Sequence, residues 1–255
     1  MKRYLPILSL ALFVLSSCGG SKPAQTGATP IEQRLAEGKK AFAEEKWLDA
    51  ISAFDDVRLQ GPASQYAAEA IFLEGMARYY SETFISAAVD FRSVRRNYPG
   101  SEFAARAQFM VGESYYKLSP RPELDQTYSQ YAITEYQTFL REYSTAPKQL
   151  LDSAEMRIGE LRNKMAQKIL LSAELYLKML DTRSALQYFG RTVDSYYDTP
   201  SAVESQLRIA EVQFGRKKMK EAQEALSDFD NKFLSASTQE QRTRALQLRQ
   251  QLSMK

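Results

Sequence analysis

The sequence predicts an all-α fold, an α-solenoid of about five helix pairs. Three observations predict it. A small–small–large triplet of residues recurs along the chain at a step of 37 residues. From Ile31 onward helix formers dominate, glycine is scarce, and no stretch alternates for long in the strand period. Prolines fall where the second helix of a unit has to stop, as at Pro62 and Pro99.

The triplets set the units in order. Gly38 is followed by Ala50 and Phe54, and Gly75 by Ala87 and Phe91. In the third unit Gly112 is followed by its equivalent Ala132 after 20 residues instead of 12, so eight residues are inserted. The insertion lies in KLSPRPELDQTYS, whose two prolines read as a loop. Ala173, Ala185 and Phe189 repeat the pattern, and Ala210, Ala222 and Leu226 repeat it again. The expected units are 31–67, 68–104, 105–151, 166–202 and 203–234, with Glu155 to Lys164 extending the helix that enters the fourth. Ser237 and Glu240 have capping-box spacing and are expected to open a terminal helix over 238–252. The expected division is therefore 31–151 for units one to three and 152–255 for units four, five and the cap.

Small residues at the eighth and twentieth positions and a large one at the twenty-fourth resemble the tetratricopeptide repeat. The small positions let two helices approach, and the large side chain fills the groove between them. That repeat has about 34 residues. A step of 37 implies slightly longer helices or turns.

Ahead of the repeats stands a different kind of segment. Met1-Lys2-Arg3 precedes an apolar run from Tyr4 to about Leu15, which is too short for the roughly 20 residues of a membrane span. Residues 1–17 read as a secretory signal peptide. Leu15-Ser16-Ser17-Cys18 resembles a bacterial lipobox. The resemblance implies cleavage before Cys18, an S-diacylglycerol on its sulfur and an N-acyl group on its new amine. Gly19 stands where an aspartate would imply retention in the inner membrane, so the outer membrane is the expected destination. Residues 18–30 hold only small, polar and proline residues after the cysteine, and read as a flexible lipidated tether.

The inventory excludes several function classes. The chain has no histidine, so no His-based catalytic triad or His metal site can form. Its single cysteine cannot make an internal disulfide. No glycine-rich phosphate loop is present. Glu44-Glu45 and Asp55-Asp56 are neighbours in sequence and do not face each other on a helix. Enzyme activity is not expected, and no cofactor beyond the lipid. Without Lys2 and Arg3 the chain has 32 basic against 31 acidic residues, which gives no reason to expect nucleic acid as a partner.

Three stretches carry a closer resemblance. AISAFDDVRLQGPASQYAAEAIF (50–72), AAVDFRSVRRNYPGSEFAARAQFMVGESYY (87–116) and YYDTPSAVESQLRIAEVQF (196–214) are similar to the repeats of the YfiO (BamD, ComL) family of outer-membrane assembly lipoproteins. The similarity runs over roughly 45–230, insertion included. It implies a lipid-anchored subunit of the outer-membrane β-barrel assembly machinery, facing the periplasm. Units one to three would recognise unfolded outer-membrane proteins, and units four and five would dock the periplasmic domains of a BamA-like barrel subunit. Accessory lipoproteins are further possible partners. The resemblance also puts the first helix of each unit on a concave face, with Phe42, Tyr79 and Tyr116 in one row. Phe72, Met76, Phe109 and Glu113 join that face, and Lys39 and Arg106 add charge to it. The aromatic residues either line a peptide groove or pack as core between helices. Another envelope repeat lipoprotein, a pilus-secretin pilotin or a cell-division coordinator, is the alternative reading.

Overall fold

The computed structural model describes residues 30–254; the expected signal peptide (1–17), Cys18 and the expected tether up to residue 29 lie outside the described residues. Five helix pairs follow one another: α1 (Ile31–Ala43) with α2 (Trp47–Gln60), α3 (Ala67–Tyr80) with α4 (Phe84–Asn97), α5 (Phe103–Leu118) with α6 (Thr127–Glu142), α7 (Lys148–Lys178) with α8 (Thr182–Ser195), and α9 (Pro200–Gly215) with α10 (Met219–Phe233). A one-turn 3-10 helix (Leu234–Ala236) leads to the terminal α11 (Gln239–Ser253). Each helix packs on its partner and on the next in sequence, and α1, α3, α5, α7, α9 and α11 also approach one another in a row. This is the predicted α-solenoid of tetratricopeptide-type pairs, with the first helices lining one side.

The triplets do the work expected of them. A Cβ added to Gly38 would lie 2.6 Å from the Phe54 ring, one on Gly75 2.7 Å from Phe91, and one on Gly112 2.6 Å from Tyr136. The missing side chain is the space that the partner helix's ring occupies. Phe54, Phe91, Tyr136, Phe189 and Phe229 are all fully buried.

The turn inside each pair is built from the backbone. Glu45, Glu82, Leu180 and Lys217 adopt the left-handed conformation, with φ of 57°, 61°, 64° and 62°. After each, the next amide closes the helix end: Lys46 N donates to Ala41 O, Thr83 N to Arg78 O, Asp181 N to Tyr176 O and Lys218 N to Gln213 O, at 2.9–3.0 Å. This is a Schellman closure with a side chain where glycine is usual. The third pair breaks the rule. Ser119 is extended, at φ −66° and ψ 114°, and the insertion begins there. Gln126 folds the loop on itself by donating to Arg121 O (2.9 Å) and Leu124 O (3.1 Å).

Two expectations need correction. The fourth unit's entry helix does not begin near 155; α7 is one unbroken helix of 31 residues from Lys148. The expected division between 151 and 152 falls inside it. Pro147 sets the start, no proline interrupts the run to Lys178, and the only glycine, Gly159, has open space where its side chain would be. The capping box is Thr238 with Gln241, one residue beyond Ser237 and Glu240: Gln241 N donates to Thr238 Oγ1 (3.2 Å), and Thr238 N to Gln241 Oε1 (2.9 Å). Ser237 instead accepts from Arg242 Nε at 3.1 Å.

Candidate peptide-binding face

The row of first helices carries a polar and aromatic cluster that joins neighbouring units. On α5, Glu113 accepts a hydrogen bond from the Tyr136 hydroxyl of α6. The same carboxylate oxygen takes Arg157 Nε of α7 at 3.2 Å. Arg157 also donates to Glu160 at 3.0 Å, and the Tyr116 hydroxyl donates to that Glu160 oxygen at 2.7 Å. The Arg157 guanidinium sits 4.1 Å from the centre of the Tyr116 ring. Lys164 closes the set, donating to Ser119 Oγ at 2.7 Å. The result is an aromatic and charged seam joining α5, α6 and α7.

The environment tunes these groups. Burial, reinforced by the Glu113 charge, pushes the Tyr79 phenol up to about 12. Burial also raises Tyr136, again with Glu113 adding to it. Burial disfavours charge on Arg157, but its bonds to Glu160 and the charge of Glu113 outweigh that and raise it. Glu160 is held low, because the bonds from Tyr116 and Arg157 overcome its burial. Burial lowers Lys164. The tyrosines therefore stay neutral donors and Arg157 stays a cation at ordinary pH. Such a face can hold a polypeptide through ring contact, cation–π contact and hydrogen bonds.

The sequence candidates divide. Glu113 and Tyr116 belong to the seam. Tyr79 and Phe42 are half-buried: Tyr79 packs edge-on against Phe84 at 5.3 Å, and Phe42 against Trp47 at 5.2 Å and Tyr80 at 5.8 Å. Phe72, Met76 and Phe109 are buried in the core cluster of units two and three. They pack between helices and offer almost no surface to a ligand. Arg106 is exposed and lies 5.5 Å over the Phe72 ring. Lys39 is turned to Glu69 in a 2.6 Å ion pair. Arg157, Glu160 and Lys164 were missed by the repeat pattern, since they lie on the part of α7 that no unit claims. Their spacing of three and four residues on one helix face was the available signal.

A second polar cluster is buried between α2, α3 and α4. Arg78 donates to fully buried Glu74 at 2.6 Å and pairs with Asp90 at 2.8 Å, while Arg58 lies 3.6 Å from Glu74. Burial pushes Asp90 up to about 7, with the neighbouring Glu74 charge adding to it and Arg78 opposing. Burial likewise raises Glu74, against Arg78. A raised carboxyl binds more protons folded than unfolded between about pH 4 and 7. Its contribution to stability is therefore full at low pH and is lost as pH rises through about 7. Asp90→Asn should flatten this slope and raise the unfolding free energy at pH 8 by about 1–2 kcal/mol, with little change at pH 4. Denaturant unfolding at the two pH values checks this; an unchanged slope would refute it.

Among the described residues, no group of three His, Cys, Asp or Glu side chains is placed to hold a metal ion. A family model described as YfiO, outer membrane lipoprotein, matches residues 28–229. No curated protein matches the chain. Solved structures are similar to it, among them the following two. One is the TPR2AB domain of yeast Sti1 in a pHSP90 complex, at 16% identity and a TM-score of 0.45, covering 88% of this chain and 98% of that one. The other is a thermophilic TPR protein of Thermus thermophilus, at 14% identity and a TM-score of 0.35, covering 86% of this chain and 98% of that one.

Proposed function

The chain belongs to the YfiO family of outer membrane lipoproteins, and from that membership we propose that it is a non-enzymatic, lipid-anchored subunit of the β-barrel assembly machinery. In this reading Cys18 carries the lipid and the solenoid faces the periplasm. Units one to three receive extended segments of unfolded outer-membrane proteins. Units four and five dock the periplasmic domains of the central barrel subunit. The task is capture and positioning, so it needs no nucleophile and no cofactor.

The observation that carries the reading is the seam of Glu113, Tyr116, Arg157 and Glu160 on the row of first helices. Half-buried rings beside a fixed cation suit the aromatic-rich terminal strand of a barrel precursor, which is an extended peptide with large side chains. The test uses a labelled peptide of such a strand and the lipid-free protein. Tyr116→Ala and Arg157→Ala should each weaken binding by tenfold or more, as expected for loss of a buried aromatic or arginine anchor. Thermal melts of both variants separate lost contact from lost fold. Equal affinity in folded variants would remove the seam from the client site. Depletion of the protein from cells should lower outer-membrane barrel proteins as a class; loss of pili alone would contradict the assembly role.

A further inference from the structure

The fourth unit exposes a helix face that the second and third units bury. In a solenoid the first helix of each unit presents its third, sixth and tenth positions to the second helix of the unit before. In unit two the third and tenth are Ala70 and Ala77, in unit three Ala107 and Ser114, and all four are fully buried. In unit five Ser205 at the third position is fully buried, while Arg208 and Val212 at the sixth and tenth are half-buried. Unit one has no predecessor, and its Gln33, Ala36 and Lys40 are exposed and largely polar. Unit four has a predecessor, yet it is uncovered. Its sixth and tenth positions, Leu171 and Leu175, are 39% and 57% exposed, and Met179 one turn on is 65% exposed.

The cause is the length of α7. Its first half takes the cover meant for its second. Ala154, Ile158, Leu161 and Met165 pack in the core of unit three. The same face continues at spacings of three and four through Lys168, Ser172, Leu175 and Met179. The insertion loop reaches along it only as far as Lys168, whose Nζ donates to Leu124 O at 2.7 Å. Beyond that point about three turns, some 17 Å of helix, carry apolar side chains that the described residues leave largely open. The fourth unit's own buried cluster is correspondingly thin: Ala173, Ala185 and Phe189.

The rim of this face is cationic. Lys168 and Arg191 line a cleft of about 300 Å³ with Ser172 and Tyr188, and no carboxylate lines it. Lys178 and Arg191 are exposed. The nearest acid on α7, Glu174, is engaged by Arg208 at 2.7 Å.

We propose that this face, centred on Leu171, Leu175 and Met179, docks an amphipathic helix of a different polypeptide, about three turns long, with carboxylates bordering its apolar stripe. Three observations choose that occupant. The interfaces that this face continues, α2 on α3 and α4 on α5, are each filled by an amphipathic helix. The cationic rim calls for acidic flanks. A second copy meeting face to face would set Lys168, Lys178 and Arg191 against their own equivalents. The chain's own tether is unsuited, since residues 19–30 contain no apolar stripe. The inference does not depend on the client seam, which lies on the unit-three half of α7.

The test places a photo-crosslinking phenylalanine analogue at Leu175 of the full lipid-anchored protein in intact cells, with the same analogue at Lys40 as the exposed control of unit one. The crosslinked peptide is then sequenced. The expected product at 175, absent at 40, is a segment of another polypeptide with apolar residues at helical spacing and Asp or Glu at their edges. A synthetic peptide of that segment should bind the purified protein. Leu175→Glu with Met179→Glu should weaken it at least tenfold, with the thermal midpoint unchanged. Lys178→Glu with Arg191→Glu should weaken it at low salt, less so at high salt. A product within a second copy, within this chain or with lipid overturns the proposal. So does the absence of a product, or undiminished binding to the Leu175 and Met179 variant.

Discussion

Replacing Phe91 with alanine should cost about 3–5 kcal/mol of unfolding free energy, the range for removing a fully buried aromatic ring. The ring has no exposed surface. It lies on Gly75, with 2.7 Å between its edge and the place a Cβ would take, and tilts against Phe72 at 5.6 Å between ring centres. Phe72 in turn stacks on Phe103 of the next unit at 5.3 Å. The loss therefore spreads from the second unit into the third, because repeat stability depends on neighbour interfaces. The converse change is milder. Gly75→Ala keeps the ring but pushes it from its seat, which costs about 1–3 kcal/mol and is partly offset by the better helix propensity of alanine. Chemical denaturation of both variants measures the difference. A Phe91→Ala midpoint shift no larger than that of Gly75→Ala would mean that the seat, and not the ring, holds the pair together.

That seat is also why so much of the fold was legible in the sequence. A helix pair needs a small residue wherever a ring from its partner crosses it. Gly38, Gly75 and Gly112 therefore mark three crossings without reference to any structure. Ala173 and Ala210 mark two more. What the pattern could not mark was α7 ahead of Ala173. Residues 148–165 cross no equivalent ring, so they carry no triplet, and the repeat gave no reason to join them to the helix that follows. Yet helix continuity was written in the absence of any breaker after Pro147. The same blind spot hid Arg157, Glu160 and Lys164, half of the seam. Phe72, Met76 and Phe109 erred in the opposite direction. Their positions matched a groove-lining pattern, but neighbouring helices cover them, because an apolar side chain gains more from burial than from facing water. The charged and amphipathic members of the same positions, Glu113 and Tyr116, stay at the boundary where a ligand can reach them.

The largest effect expected outside the fold concerns Cys18. Cys18→Ala, carried behind a leader that is cleaved without a cysteine, should move essentially the whole protein from the membrane pellet to the soluble fraction. Among the described residues no helix is long and apolar enough to cross a membrane. The tether sequence offers no strong electrostatic anchor. Residues 19–30 hold a single lysine and no large apolar side chain, far short of the polybasic cluster that attracts anionic headgroups. Acyl chains would then carry the attachment alone. Each buried CH₂ contributes about 0.8 kcal/mol, and a second chain already gives stable anchoring. The helices span residues 31–253, outside the tether, so thermal melts of the lipidated and soluble forms should coincide. The informative background is a cell depleted of the central barrel subunit, where a docked partner cannot hold the variant at the membrane. Release there, with retention of the unchanged protein, isolates the lipid as the anchor. A variant that stays in the pellet of those cells would show that something other than Cys18 binds the protein to the membrane, and the uncovered face of α7 would be the first place to look.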